Sequence, residues 1–295
     1  MRGRMKSILL PLLVYMISVF VFNEFLIYYV IISSCDWPHL KTTKENDTPL
    51  RTMVLADPHL LGEQYGHWFD KLRREWQMYR SYQTALQLLN PDVVFILGDL
   101  TDEGKWASSE QWNRYVHRAG EVFFTPKKIR LHMVMGNHDV GFHYDITQSK
   151  LNRFLISFQS KNVQVLNIQD NVFVLVNSMG LEEDDCNMCA DVESRLQYVS
   201  RSLKCSQNKD AESDECATLP QYPPYKPILL QHFPLYRSSD ALCQGEDASS
   251  GKEYEKYKEK WDVVSRDAST RVILLTYATW QLVARLFLIS RMVQH

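Results

Sequence analysis

Four short stretches carry the residue types that bind divalent cations, and each follows an apolar run. They are Asp57-Pro58-His59 after TMVLA, Gly98-Asp99 after VVFIL, Gly136-Asn137-His138-Asp139 after IRLHMVM, and His232 after PILLQ. Carboxylate, amide and imidazole together suit Mn2+, iron or Zn2+ better than Ca2+. Two such cations about 3.5 to 4 Å apart can clamp a phosphoryl group, turn a bridging water into hydroxide and stabilise the leaving oxygen. One carboxylate has to be shared between the ions, and Asp99, central in the set, is the natural bridge. Taken singly, each residue has a plainer role: Asp and Asn cap helices and hold turns after strands, and a lone His more often satisfies a surface or core position. Convergence outweighs that reading, because loops at the carboxyl ends of strands in an open α/β sheet meet in one crevice.

The elements that must position these residues follow from apolar periodicity. Runs at 52–56, 93–97, 129–135, 172–178 and 227–233 predict strands, and amphipathic patterns predict helices over 67–89, stopped by Asn90-Pro91, over 109–122 and over 191–203. Strands alternating with helices predict an α/β layered domain. A loop rich in Ser, Asp, Glu and Pro, from Cys205 to Lys226, is expected to be stapled by Cys205 and Cys216. The run KEYEKYKEK (252–260) reads as a solvated helix face.

With 33 basic and 35 acidic residues among 295, the formal charge is −2, and no basic stripe marks the chain, which argues against a nucleic-acid partner. The N-terminus differs from the rest. Arg2, Arg4 and Lys6 precede an apolar stretch from Ser7 to Ser34, longer than the roughly 20 residues needed to cross a bilayer. Asn23 and Glu24 interrupt it, at a cost on the order of 2 to 3 kcal/mol for the charge, which its many Leu, Ile, Val and Phe offset. The length exceeds the apolar region of a signal peptide, so the stretch predicts a transmembrane anchor with a cytosolic N-terminus and a lumenal body.

Of six cysteines, five lie within 186–243, the pattern of disulfides in an oxidising compartment; the Cys186-x-x-Cys189 pair lacks the second pair a zinc site would need. Asn46-Asp47-Thr48 is a glycosylation acceptor sequence, with Pro49 directly behind it.

Standing in this order, Asp57-x-His59, Gly98-Asp99, Gly136-Asn137-His138-Asp139 and His232 in QHFPLY resemble the calcineurin-like metallophosphoesterase family from residue 51 to about 270. The resemblance implies a two-sheet α/β sandwich with a dinuclear metal centre. In it Asp57 and His59 would hold the first metal, Asp99 would bridge, and Asn137 and His232 would hold the second. His138 would protonate or steady the leaving oxygen, with Asp139 orienting its ring. A narrower likeness, in FLIYY, LGEQYGHWFDKLRREWQM, VVFILGDLTDEGKW, GNHDVGFHY and QHFPLYRSSD, is to members that act on GPI anchors. It implies two Mn2+ ions, removal of an ethanolamine-phosphate side branch from the GPI glycan, and GPI-anchored proteins as partners in transport from endoplasmic reticulum to Golgi. It also implies residence at ER exit sites, the intermediate compartment and the Golgi membrane.

The chain departs from the family at one point. The last family motif, Gly-His-x-His, gives one imidazole to each metal, and none of the nine histidines stands in that frame. Losing those ligands should weaken metal binding, and two other readings therefore stay open: a non-catalytic variant that binds GPI-anchored cargo, or a phosphatase with another phosphoester substrate. The expected organisation is an anchor at 1–34, a stem at 35–50, the metallophosphoesterase domain at 51–270 and a divergent tail at 271–295, with the sandwich incomplete at its C-terminus. Val272 to Leu275 is expected to pair at an exposed sheet edge, and 272–289 makes a poor second span because Gln281 and Arg285 interrupt it.

Overall fold

The computed structural model describes residues 2–38, 49–142, 145–182, 186, 188–207, 214–243 and 255–276. The glycosylation sequence at Asn46, most of the stem and the tail from residue 277 lie outside the described residues.

The chain begins as one helix in three parts: α1 (Arg2–Val21), a π-helical turn (Phe22–Leu26) and α2 (Ile27–Ile32). Leu9 to Ile32 is long and apolar enough to cross a membrane, and is a candidate anchor. The π turn falls on the two polar residues that interrupt the span. There the Asn23 amide donates to the Val19 carbonyl (2.9 Å) and Glu24 faces Arg73 at 3.7 Å.

The first half of the body is β1 (Thr52–Leu55), α3 (Trp68–Leu89), β2 (Val93–Leu97), α4 (Ser109–Val122) and β3 (Arg130–Val134). The three strands form a parallel sheet in the order β1-β2-β3. Local signals set the helix limits. His67 caps the start of α3, and Asn90 ends it at φ 43°, a left-handed stop reinforced by Pro91. A capping box between Ser108 and Gln111 starts α4.

The second half comprises α5 (Asn137–Val140), α6 (Gln148–Ser157), β4 (Val163–Ile168), β5 (Asn171–Val176), α7 (Cys189–Gln207), α8 (Asp214–Ala217), β6 (Ile228–Gln231) and α9 (Arg266–Thr276). Its sheet runs β4-β5-β6, with β5 antiparallel to β4 and parallel to β6.

The two sheets face one another, and the pleat of β2 shows why its run is apolar throughout. Val93 and Phe95 join Phe173, Leu175 and Leu230 between the sheets, whereas Val94 and Ile96 pack outward against the α3 and α4 side, with Ala85 and Ala119. On the far side, Leu196, Val199 and Leu203 of α7 and Val272 of α9 cover the second sheet. The result is an α/β sandwich of two sheets with helices outside.

Two expectations change, and one strand is added. Val272 to Leu275 is part of α9 and not an edge strand. Ala268, Val272 and Thr276, four residues apart, are buried along one face, and Arg271 reaches the Leu181 carbonyl and Glu193, so the segment gains more as a helix against α7 than as an edge. Residues 255–260 of the charged run are not helical; Lys258 and Lys260 donate their backbone N–H to Asp262 and Val263, closing a turn instead. Strand β4 was not anticipated; only its ends, Val163 and Ile168, are fully buried, which leaves little alternation to read.

Disulfides join Cys186 to Cys189 and Cys205 to Cys216, the second stapling the loop as expected, while Cys35 and Cys243 remain thiols.

Phe95 is fully buried, its ring 5.0 Å from Phe173 and stacked on His132 at 5.6 Å. Replacing it, Phe95→Ala, should cost about 3 to 5 kcal/mol, read as a lower midpoint in denaturant unfolding.

Candidate metal centre

The predicted residues gather where β1, β2, β3 and β6 end. The first two loops run side by side: Asp57 N–H donates to the Gly98 carbonyl, His59 to that of Asp99, and Leu60 to that of Leu100. To sustain this path, Asp57, His59 and Asp99 all take left-handed backbone conformations, with φ of 52°, 47° and 48°. Such conformations cost on the order of 1 to 3 kcal/mol each and persist where surrounding structure enforces them. Asp and His are among the residue types that tolerate this region best.

Asp99 is 4% exposed. One of its oxygens accepts the backbone N–H of His138 at 2.7 Å, which draws in the third motif. Gly136 explains itself here, because any side chain at that position would collide with the Asp99 carboxylate. Gly98 does the same on the other side: its φ is +90°, and a Cβ there would strike the His232 ring.

Each of the three imidazoles is oriented through Nδ1. His232 Nδ1 lies 2.8 Å from the Leu97 carbonyl, a bond from the end of one sheet to the end of the other. His59 Nδ1 lies 3.0 Å from Asp102 Oδ1, and His138 Nδ1 lies 2.8 Å from the Asp102 carbonyl. A carbonyl or carboxylate acceptor requires a proton on Nδ1, which leaves Nε2 of the neutral ring as a lone pair. Around His232 Nε2 stand Asn137 Oδ1 at 3.1 Å and Asp99 Oδ1 at 3.6 Å, and His59 Nε2 is 3.5 Å from Asp99 Oδ2. Lone pairs facing carboxylate and amide oxygens without an intervening proton make a donor set that a cation fits.

The donor atoms form two groups, His59 with Asp99 and His138, and Asp57 with Asp99 and His232, each within 4.8 Å. Asp99 belongs to both, the placement expected of a bridge. Asp57 stands with His232 rather than with His59, which differs from the grouping the family resemblance implies. Asp57 keeps 47% of its side-chain exposure, yet its pKa is raised, first by desolvation and then by Asp99, with His232 opposing.

Asp139 has another job from the one expected. Its fully buried carboxylate accepts from the backbone N–H groups of Leu100, Thr101 and Gly136 and from the Thr101 hydroxyl, tying the second motif to the third. Burial is the main cause that pushes its pKa up to about 6, with Asp99 adding to it. It is Asp102 that faces the His138 ring, its carboxylate 3.4 Å from Nδ1. Sequence reasoning passed over Asp102, although it stands three residues after Asp99 in GDLTDEG. Glu103 was missed as well: almost fully buried, it accepts from Gln64 N–H (2.9 Å) and Tyr65 N–H (2.7 Å) and so fixes the loop after His59.

The model of calcineurin-like phosphoesterases matches residues 50–265. The chain belongs to that family. It is a metal-dependent phosphoesterase, a phosphoric ester hydrolase of a family that binds a dimetal centre. The chain is 45% identical to Metallophosphoesterase 1 of Rattus norvegicus over 289 residues, covering 97% of this chain and 71% of the relative. It is 46% identical to Metallophosphoesterase 1 of Danio rerio over 87% of this chain and 68% of that one. A solved dimetal phosphatase from Danio rerio is 13% identical over 77% of this chain and 78% of that one, with a TM-score of 0.41, too loose a match to carry an argument.

In Asp139→Asn the new amide would set N–H against N–H where the carboxylate accepts four hydrogen bonds. A loss of about 1 to 3 kcal/mol is expected, and thermal unfolding of the full chain checks it.

Proposed function

We propose that this phosphoesterase is a phosphodiesterase that removes an ethanolamine-phosphate branch from the glycan of GPI anchors, with two Mn2+ ions held by Asp57, His59, Asp99, Asn137 and His232. The observation that carries the reading is the pair of donor groups sharing Asp99. Metal ions there would lower the pKa of a bound water and draw charge off the phosphoryl oxygens. Asp99 and Asp57 contribute negative charge to balance such ions, and Asn137 a neutral amide oxygen. His138, with Nδ1 committed to the Asp102 carbonyl, has Nε2 left to exchange a proton with the leaving oxygen.

The glycan rests on the sequence likeness to members that act on GPI anchors, and two features of this chain agree with it. The apolar N-terminal helix would hold the enzyme on the surface where GPI anchors reside. Two disulfides fit a body that folds in the oxidising lumen, consistent with ER exit sites, the intermediate compartment and the Golgi membrane, where GPI-anchored proteins would be its partners. A second reading, a non-catalytic module that binds GPI-anchored cargo, draws on the absence of a Gly-His-x-His frame among the nine histidines.

Hydrolysis decides between them. The full chain in detergent, supplied with Mn2+, should cleave bis(p-nitrophenyl) phosphate and release ethanolamine phosphate from a purified GPI glycan. Asp99→Asn should lower both rates about 100-fold or more, the scale of removing one key electrostatic contact from a reaction centre. Cleavage of the small diester without the glycan would retain the phosphoesterase and discard its proposed substrate. No cleavage of either at any Mn2+ concentration would favour the binding module.

A further inference from the structure

The N-terminal helix does not merely precede the body; its last turns lie along α3. Glu24 pairs with Arg73 (3.7 Å), and the Phe25 ring meets Trp76 edge-on (5.4 Å). The Arg80 guanidinium sits over Phe25 (5.4 Å) and Tyr29 (6.0 Å), and the Tyr29 hydroxyl donates to Gln87 (3.2 Å). Trp37 Nε1 donates to the Leu89 carbonyl at 2.9 Å. Residue numbers rise together on both sides of this contact, so the two helices run parallel. Followed backwards, α1 must therefore leave the body beyond the N-terminal end of α3.

That end of α3 is unusually apolar for a surface. Trp68 is 66% exposed, Phe69 49% and Leu72 63%, and Tyr65 in the preceding loop is 75% exposed. Trp68, Leu72 and Trp76 are spaced by four, so they continue the stripe that Phe25 covers lower down. Single exposed apolar residues need no explanation, but four together beside a candidate membrane span do.

The lengths agree. Counted from Ser7, behind Arg2, Arg4 and Lys6, 20 residues at 1.5 Å each reach about 30 Å, the thickness of a hydrocarbon core, at Leu26, which puts the boundary at the C-terminal end of the π turn. Glu24 is level with Arg73, and Leu72 to Trp68 lie up to about 8 Å farther along α3 toward α1. Interfacial helices bury their apolar faces about 5 to 10 Å into the boundary between headgroups and acyl chains, and Trp and Tyr favour that layer.

We propose that Tyr65, Trp68, Phe69 and Leu72 rest in the boundary between headgroups and acyl chains of the same bilayer that the N-terminal helix crosses, and so hold the body in one orientation on the membrane. The seat is joined to the metal centre by a short path: Tyr65 N–H donates to Glu103, whose neighbour Asp102 orients His59 and His138. A centre so placed would face phosphoesters carried at the bilayer surface. The inference stands on α1 and α3 alone and does not depend on which ester is cleaved.

Tryptophan quenching tests it on the full chain in phosphatidylcholine nanodiscs made with and without acyl chains brominated near the headgroup. The chain has seven tryptophans, and Trp68→Phe should remove roughly one tryptophan's share of the bromine-quenched emission. Adding Leu72→Trp to Trp68→Phe should restore it. Equal quenching in the wild type and Trp68→Phe, or no recovery in the double variant, would overturn the proposal and leave the patch to a protein partner.

Discussion

The structure depends on a single buried carboxylate. Asp99 sits at the end of β2 in a left-handed conformation, accepts the His138 N–H, and looks toward imidazole nitrogens from two other loops. A carboxylate this enclosed is costly without cationic company. Its surroundings serve that requirement: Gly98 and Gly136 remove side chains that would collide, Asp139 pins the loops that flank it, and each histidine is turned so that Nδ1 is already occupied. As a preorganised place for positive charge these features are consistent with one another.

Placing that carboxylate is the work of the sandwich. Parallel strands β1, β2 and β3 deliver three loops to one edge, and the second sheet adds His232 from β6. The bond from His232 to the Leu97 carbonyl joins the sheets at the site, just as Phe95 and Phe173 join them in the interior. A shift between the sheets would therefore move one imidazole relative to Asp99, which couples packing far from the centre to its geometry.

Much of this could be read from the chain because each signal was local. Apolar runs broken by Asp, Asn and His marked the strand ends, and Asn90-Pro91 marked a helix limit that the structure keeps. What escaped was decided by contacts distant in sequence. The role of Asp102 depends on two histidines from other loops, and that of Asp139 on backbone N–H groups of the second motif, neither of which spacing reveals. Val272 to Leu275 has the composition of a strand, yet α7 offers a helical partner for it. The regrouping of Asp57 with His232 likewise follows from how the β1 loop lies against β2, with the Asp57 N–H on the Gly98 carbonyl.

If Asp99 is the shared ligand of two neighbouring cations, the ions must sense one another. Electron paramagnetic resonance of the full chain loaded with Mn2+ reads this directly. A spin-coupled spectrum from two Mn2+ per chain, collapsing to that of isolated ions in Asp99→Asn, is the predicted result. An uncoupled six-line spectrum from a single Mn2+ in the unaltered chain would contradict the shared site.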